Sequence, residues 1–255
     1  MKKNSENKTK ETSWGKVADW YNEYLQKEDT YQSKVILPNL LRILGVQKDK
    51  HVLDLACGQG FFANEIIKLG ADVTGSDISS ELIDVAEKNI PNAKFFVSPA
   101  SELTFAKNGE FDVVICVLAL QNIENIEAVF KEVRRALKQN GRFVMILNHP
   151  TFRVLKRSSW GFDEKQKVQY RRIDGYLSSR KILVDAHPGS EKSEKTISYH
   201  RSLQDFFKAL SKAKLSVTNL EEWTSHKVSA KGPRQKAEDI ARKEIPLFMA
   251  IEARN

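Results

Sequence analysis

The chain has 255 residues and a formal net charge of +8 at pH 7, with a hydrophobic fraction of 41%. A chain of this length and composition can bury one sizeable core, which excludes the disordered class of proteins. The apolar runs are too short to cross a bilayer, and Met1 to Lys10 lack the apolar region of a signal peptide. We therefore predict a cytoplasmic protein that does not interact with a membrane.

The two cysteines, Cys57 and Cys116, each fall in or beside a predicted buried strand. Two cysteines are too few for a disulfide framework or a typical zinc site, and their burial agrees with a reducing compartment. We predict that the protein holds no metal.

The basic excess lies in the second part of the chain. Residues 1–148 carry 19 Lys and Arg against 20 Asp and Glu, whereas residues 149–255 carry 22 against 13. Such an excess suits an anionic substrate or RNA. It equally suits an ordinary solvated surface, so the charge alone leaves these interpretations open.

The chain begins with a polar segment, and two helical patterns follow it. Residues 1–12 are predicted to be a disordered tail, and residues 13–48 a helical cover. The first helix of this cover is unusually aromatic, with Trp14, Trp20 and Tyr21. The second is predicted near Ser33 to Leu44, where apolar residues follow helical spacing and Gly45 ends the pattern.

Strands and helices alternate along the middle of the chain. The predicted strands are Val52–Leu55, Asp72–Gly75, Lys94–Val97, Phe111–Val117 and Arg142–Leu147. Ser79 is predicted to cap a helix, and Asn140-Gly141 to end another. This alternation predicts an open, parallel α/β sheet of the doubly wound type, with helices on both faces and a ligand site at one rim.

The regular order stops after Asn148. Residues 149–200 show no clean period and mix aromatic residues with cations, so we predict a lid or substrate-binding insertion at the ligand rim. Residues 201–255 are predicted to form a closing helix, which starts at a capping box of Ser202 and Asp205, and two closing strands.

Four residues of the insertion are the candidates for substrate binding: Trp160, Tyr170, Arg171 and Arg172. Aromatic faces beside guanidinium groups suit a planar, anionic or nucleotide-like molecule. The same residues can equally form a basic loop with a small aromatic core of its own.

The stretch from His51 to Phe61 is the central motif. It reads as a strand, an acidic residue, a glycine-rich turn and the start of a helix, which brings backbone N–H groups up to a ligand. Asp54 stands four residues before the first glycine and would repel a pyrophosphate. It suits a ligand with a cationic amino group and no phosphate, and S-adenosylmethionine is such a ligand.

These motifs resemble class I S-adenosylmethionine-dependent methyltransferases, especially the broad type-11 group. The similar segments are Val52-Leu53-Asp54-Leu55-Ala56-Cys57-Gly58-Gln59-Gly60, Thr74-Gly75-Ser76-Asp77-Ile78-Ser79, Phe111-Asp112-Val113-Val114, Arg134-Arg135-Ala136-Leu137-Lys138 and Asn140-Gly141-Arg142-Phe143. The resemblance implies one methyltransferase domain over residues 13–255, with a cofactor-binding core at 50–148. It also implies a Rossmann-like seven-stranded sheet, mostly parallel with an antiparallel final strand.

The resemblance implies which residues hold S-adenosylmethionine. Asp54 would face its methionine part, Asp77 would accept from both ribose hydroxyls, and Ile78 would pack on the adenine. The full predicted set is Tyr21, Asp54, Ala56, Cys57, Gly58, Gly60, Asp77, Ile78, Ala100, Ser101 and Cys116. Ser98-Pro99-Ala100 departs from the acidic residue that many relatives have after the third strand, so another atom must recognise the adenine amino group.

A base is needed if the acceptor has to lose a proton. His149, directly after the fifth strand, is the first candidate, and His200 is the second. His149 can equally hydrogen-bond the first turn of the insertion.

We therefore predict methyl transfer from S-adenosylmethionine to an O, N or C nucleophile of a small molecule that is anionic or aromatic. An RNA methyltransferase that uses the basic second half is one alternative, and a non-enzymatic cofactor-binding module is another. The chain reads Val117-Leu118-Ala119-Leu120-Gln121 where methyltransferases of base amines often have Asn/Asp-Pro-Pro-Tyr/Phe, which disfavours that reaction.

Overall fold

The computed structural model describes residues 29–45, 47–185 and 195–255. The predicted tail at 1–12 and the aromatic helix that contains Tyr21 lie outside these residues, so the predictions about them stay predictions.

The second predicted helix is confirmed. A π-helical turn at Gln32–Ile36 leads into α1, Leu37–Leu44. Ile36, Leu40 and Leu44 are buried against the sheet. The helix ends at Gly45, whose φ of 69° is readily adopted only by glycine.

Seven strands form the central sheet. They are β1 His51–Leu55, β2 Asp72–Asp77, β3 Lys94–Val97, β4 Phe111–Val117, β5 Leu137–Asn148, β10 Ser216–Trp223 and β11 Phe248–Arg254. Their order across the sheet is β10-β11-β5-β4-β1-β2-β3. β11 is antiparallel to both of its neighbours and the other pairs are parallel, so the predicted Rossmann-like sheet is confirmed.

Further α-helices in the described part of the chain are α2 Phe61–Ile67, α3 Ser80–Asn89, α4 Ile126–Ala136, α5 Leu203–Lys212 and α6 Gln235–Glu244. Ser79 caps α3 as predicted, accepting a hydrogen bond from the backbone N–H of Leu82. Ser202 and Asp205 form the predicted capping box of α5.

The apolar side chains of β4 show why the sheet is covered on both faces. Val114 and Cys116 belong to one buried cluster with residues of α4 and α5. Val113 and Ile115 point the other way, into a cluster with residues of α1, α2 and α3. A strand buried on both faces reads as a continuous apolar run, which is the pattern that the sequence shows here.

The start of β5 differs from the prediction. The helix before it ends at Ala136, and β5 begins at Leu137 instead of Arg142. The pairing with β4 shifts between Phe111 and Val113, which are paired with Leu137 and Arg142, and Asn140, with a φ of 63°, lies in the extra length of β5. A turn signal therefore marked a bulge within a strand.

The region 149–200, which shows no clean period in the sequence, contains two antiparallel hairpins. One joins β6 Ser158–Asp163 to β7 Val168–Ile173, and the other pairs β8 Arg180–Asp185 with β9 Lys195–His200. In β9 the buried positions are Thr196, Ser198 and His200. Ile197 and Tyr199 alternate with these positions, so the strand has the period of two but turns its polar residues to the buried side.

Candidate functional site

A cavity of about 540 Å³ lies at the carboxyl ends of β1, β2 and β4. This is the rim where doubly wound sheets bind ligands, and the volume falls within the range of small-molecule sites. Most residues predicted to bind the cofactor line it: Asp54, Ala56, Cys57, Gly58, Asp77, Ile78, Ala100 and Ser101.

Asp77 ends β2 and lies at the centre of this group. Its Oδ2 accepts a hydrogen bond from the Gly58 N–H at 2.9 Å, and its Oδ1 accepts from the Ser79 N–H at 3.0 Å. Burial raises the pKa of this carboxyl, and the backbone donors oppose that shift. Each carboxylate oxygen still has a second acceptor position for a ligand.

Asp54 is the last but one residue of β1 and lines the cavity, and it is 1% exposed. Burial raises the pKa of Asp54 to about 7, a hydrogen bond from the Ala63 backbone lowers it, and the nearby Asp77 adds to the rise. Its Oδ2 has no hydrogen-bond partner in the described structure. A buried carboxylate oxygen without a donor favours a cationic or hydrogen-donating ligand at this position.

The two glycines of the turn have different surroundings. A Cβ atom on Gly58, which lines the cavity, would meet nothing within 4 Å. A Cβ atom on Gly60 would lie 2.7 Å from Ile90 Cδ1, and Gly60 is not among the described residues that line the cavity. Gly60 therefore allows close packing of α2, whereas Gly58 leaves space for a ligand.

The two cysteines also differ. Cys57 lines the cavity, whereas Cys116 is fully buried beneath it and does not reach the wall. Burial raises the pKa of both thiols. Both side chains are therefore neutral thiols, which are poor nucleophiles. Cys116 does not line the cavity as predicted; the next residue of β4, Val117, does.

His149 does not have the geometry of a base. Its Nε2 lies 2.6 Å from Glu222 Oε1, and its Nδ1 accepts from the backbone N–H groups of Thr151 and Phe152 at 3.2 and 3.4 Å. Burial lowers the pKa of His149, and the Glu222 carboxylate opposes that shift. Both ring nitrogens of His149 are hydrogen-bonded, and the ring is not part of the described lining of the cavity. His149 therefore stabilises the turn after β5.

His200 is buried at the end of β9. Its Nε2 lies 2.7 Å from the carbonyl oxygen of Tyr176, and the Tyr176 ring packs edge-on against the imidazole. His200 borders a separate, smaller cavity of about 70 Å³ together with Leu147 and Phe206. The two histidines predicted as bases are therefore in structural contacts away from the large cavity.

The four residues predicted to bind substrate lie on the β6–β7 hairpin and are not part of the described lining of the large cavity: Trp160, Tyr170, Arg171 and Arg172. Arg171 donates to the Phe152 carbonyl and to Ser158 Oγ, and its guanidinium lies 5.1 Å from the Trp160 ring centroid. Arg172 pairs with Asp174 at the surface. These contacts form a small local cluster, which is the alternative that the sequence left open.

Another part of the wall comes from a loop and from a hairpin within the predicted insertion 149–200, through residues that were not among the predicted site residues. The loop Asn122–Asn125 after β4 contributes one part, and Lys181, Lys195, Thr196, Ile197 and Tyr199 of the β8–β9 hairpin contribute the other. The hairpin is attached to the loop by Ser198, whose Oγ donates to the Gln121 carbonyl at 3.3 Å.

Arg201 fastens the same loop more firmly. Its guanidinium donates to the carbonyl oxygens of Leu120, Ile123 and Glu124, with the last two at 2.7 and 2.5 Å. Burial lowers the pKa of Arg201, which nevertheless stays charged at neutral pH. A planar guanidinium can serve several acceptors at once, so this one side chain fixes the position of the cavity wall.

The described residues contain no group of three His, Cys, Asp or Glu side chains that could hold a metal ion. Among the described helices, none is long and apolar enough to cross a membrane.

Residues 53–145 match a family model described as a methyltransferase domain. The chain is 36% identical over 107 residues to a demethylmenaquinone methyltransferase of Thermotoga maritima, a match that covers 41% of this chain and 45% of that enzyme. The match thus spans about half the length of this relative.

The whole fold also matches solved structures. An S-adenosylmethionine-dependent methyltransferase from Mesorhizobium loti superposes with a TM-score of 0.69 at 23% identity, covering 89% of this chain and 99% of that one. The glycopeptide N-methyltransferase MtfA, solved with S-adenosylmethionine, gives a TM-score of 0.59 at 14% identity over 86% of this chain and 92% of that one.

Proposed function

We propose that the chain is a class I S-adenosylmethionine-dependent methyltransferase and that it methylates a small molecule bound in the 540 Å³ cavity beside the cofactor. The observation that carries the proposal is that a single cavity is lined both by Asp54 and Asp77 and by residues of the β8–β9 hairpin.

The residues present fit S-adenosylmethionine as cofactor. Asp54 offers a buried oxygen without a partner, which suits the cationic amino group of the methionine part. Asp77 keeps acceptor positions for ribose hydroxyls, and the 42% exposed Ile78 offers an apolar face for the adenine. The open space over Gly58 leaves room for the ligand to approach the backbone.

When bound, the cofactor supplies a methyl group on a sulfonium, ready for an in-line displacement. The contribution of the protein is to orient the acceptor, exclude water and hold both partners in one space. Phe61, Phe62 and Leu118 supply apolar wall for this purpose, and the loop Asn122–Asn125 supplies polar wall.

The acceptor side supports a small molecule. The β8–β9 hairpin and the loop after β4 both line the cavity, and Arg201 and Ser198 hold these two segments together. The demethylmenaquinone methyltransferase relative, by its name, also acts on a small molecule. We include two further predictions in this proposal. Residues 13–255 form a single domain, and residues 149–200 act as its lid.

The experiment is labelled-methyl transfer from S-adenosylmethionine into a cell extract that is divided into metabolite, RNA and protein fractions. Label in the metabolite fraction is the expected result. Label in RNA, with activity that falls steeply as salt rises, would instead establish the RNA methyltransferase alternative. Calorimetric binding of the cofactor without label in any fraction would establish a non-enzymatic module.

A further inference from the structure

The charged side chains that line the large cavity come from two parts of the fold. Asp54 and Asp77 belong to the strands beside the glycine turn, whereas Lys181 and Lys195 belong to the β8–β9 hairpin and Glu124 to the loop after β4. The described lining includes no other charged side chain. Lys195 pairs with Asp185 of its own hairpin, so Lys181 is the cation whose contacts decide whether this wall can bind an anion. A cationic methyl donor is attracted to the two carboxylates of Asp54 and Asp77.

Strand pairing puts Lys181 where an acceptor can reach it. Lys181 lies directly opposite Tyr199 in the hairpin register, and both residues line the cavity. Because side chains alternate along a strand, the two residues share the face that is opposite to the buried Ser198 and His200. The packed side of the hairpin thus holds it in place, and the other side faces the ligand.

Two cations flank the Tyr199 ring, but they differ in what else they contact. The Lys181 ammonium lies 5.6 Å and the Arg201 guanidinium 5.2 Å from the ring centroid. Arg201 already donates to three loop carbonyls. Lys181 has three N–H donors, and among the described residues it has one ion-pair partner, Glu124, at 3.7 Å.

The pair of Lys181 and Glu124 is easily exchanged. The two side chains are 49% and 72% exposed, and ion pairs between exposed groups are weak because water screens them. An anionic group that enters the cavity can therefore take the place of Glu124. Its hydrogen bonds to the Lys181 ammonium would be charge-assisted, and such bonds are stronger than those between neutral groups.

We propose that the methyl acceptor carries a carboxylate or a phosphate, and that Lys181 binds this anionic group next to Tyr199. The proposal rests on the proposed function, since it concerns the acceptor of the same transfer. In that transfer a lone pair of the acceptor forms the bond to the methyl carbon, and the carbon–sulfur bond breaks with its electron pair left on sulfur. Any proton on the acceptor atom is released to water.

The test uses the full chain, labelled S-adenosylmethionine and a metabolite extract divided on an anion-exchange resin. We expect label in the retained, anionic fraction, and phosphatase treatment of that fraction before the assay distinguishes phosphate from carboxylate acceptors. Lys181→Met should lower the rate at limiting extract about tenfold or more, the effect of losing one charge-assisted hydrogen bond, with unchanged affinity for S-adenosylhomocysteine. Lys181→Arg should keep most of the rate.

Lys212→Met is the matched control. Lys212 is an exposed lysine, 69% accessible, which pairs with Glu127 on the helical side of the fold, and its replacement should change neither rate nor affinity. A binding readout accompanies the rates: the anionic fraction should protect Lys181, but not Lys212, from amine acetylation measured by mass spectrometry.

Label confined to the unretained fraction, or a Lys181→Met rate equal to that of the original chain, would overturn the proposal and leave methyl transfer to a small molecule intact. The absence of label from every fraction contradicts the proposed function itself, and this inference falls with it. If Lys181→Met loses affinity for S-adenosylhomocysteine, the rate and affinity measurements are repeated with Lys181→Gln. The same results then support or overturn the proposal.

Discussion

Asp77 Oδ2 and the backbone N–H of Gly58 are joined by a hydrogen bond of 2.9 Å. Through its other oxygen the same carboxylate accepts from Ser79, the N-cap of α3. Asp77 therefore connects the glycine turn after β1 to the helix after β2. The proposed contact with the ribose and the contact that shapes the turn belong to one side chain, and its replacement should affect both.

Asp77→Ala should abolish cofactor binding, with an affinity loss of about 100-fold or more, because the carboxylate and the shape of the turn are lost together. The free energy of unfolding should fall by about 1–3 kcal/mol, since two backbone donors lose their acceptor. Calorimetry and denaturant titration measure the two effects. Asp72→Ala is the control: Asp72 begins the same strand with 58% exposure, and its variant should match the original chain. Retained affinity in Asp77→Ala would remove the ribose assignment.

Asp54→Asn should stabilise the protein without cofactor and weaken cofactor binding. Burial raises the pKa of Asp54 to about 7 from the ordinary value of 3.8, so between these pH values the folded chain binds more protons than the unfolded chain. The contribution of Asp54 to stability therefore decreases as pH rises through this range. One pKa unit is worth about 1.4 kcal/mol, and we expect the variant to gain on the order of 1–3 kcal/mol at pH 8.

The increase in the free energy of unfolding caused by Asp54→Asn should be smaller at pH 5, because the carboxyl of the original chain is then protonated in the folded state. Cofactor affinity of the original chain should fall as pH drops below about 7, because a cationic ligand prefers the ionised carboxylate. Denaturant titrations at the two pH values and calorimetry across the range are the measurements. A gain that does not depend on pH would contradict the assignment.

Gly75→Ala should destabilise the fold at the floor of the site. A Cβ atom there would lie 2.5 Å from two atoms of the Phe95 ring and 2.9 Å from Cys57 Sγ. Overpacking of this kind costs about 1–3 kcal/mol, and thermal or denaturant unfolding measures it. At Gly232 an added Cβ would meet nothing within 4 Å, so Gly232→Ala should leave stability unchanged. Equal stabilities for the two variants would show that β2 and β3 can move apart at Gly75 without lowering the free energy of unfolding.

Arg201→Lys should lower turnover several-fold and leave cofactor affinity unchanged. Two separate guanidinium nitrogens serve the three carbonyls, whereas a lysine carries all its donors on one nitrogen and cannot match that geometry, so the loop Asn122–Asn125 should lose its fixed position on the acceptor side of the cavity. Steady-state kinetics and calorimetry separate the two quantities. Arg172→Lys, at a 68% exposed arginine paired with Asp174, should have no effect on either. A loss of cofactor affinity in Arg201→Lys would count against an acceptor-side role.

His149→Ala should reduce stability by about 1–3 kcal/mol and change the rate little, because the ring satisfies buried hydrogen bonds of the turn after β5. Burial lowers the pKa of His149, so its contribution to stability is present above about pH 6.5 and is lost as pH falls through its folded value. Unfolding between pH 5 and 8 tests this. A variant of unchanged stability with a large loss of turnover would restore His149 as the base.

The cofactor side of the cavity could be predicted because its residues follow strand ends at a spacing that the alternation of strands and helices imposes. Asp54 and Asp77 close two parallel strands that are neighbours in the sheet, and parallel strands bring their carboxyl ends to one rim. Gly60 lies in the same motif, yet its role is to let α2 pack close to Ile90. The spacing of the motif alone does not say which of the glycines faces the ligand.

The acceptor side required the folded chain. Lys181 and Tyr199 reach the cavity because β9 lies against the loop after β4, and contacts of Ser198 and Arg201 across about eighty positions of sequence hold it there. The buried face of β9 is polar and its apolar residues, Ile197 and Tyr199, lie on the other face, so the sequence pattern does not indicate which face is buried. Local patterns encode strands, caps and turns, whereas the pairing of a hairpin with a distant loop depends on hydrogen bonds that form only once the sheet has brought both together.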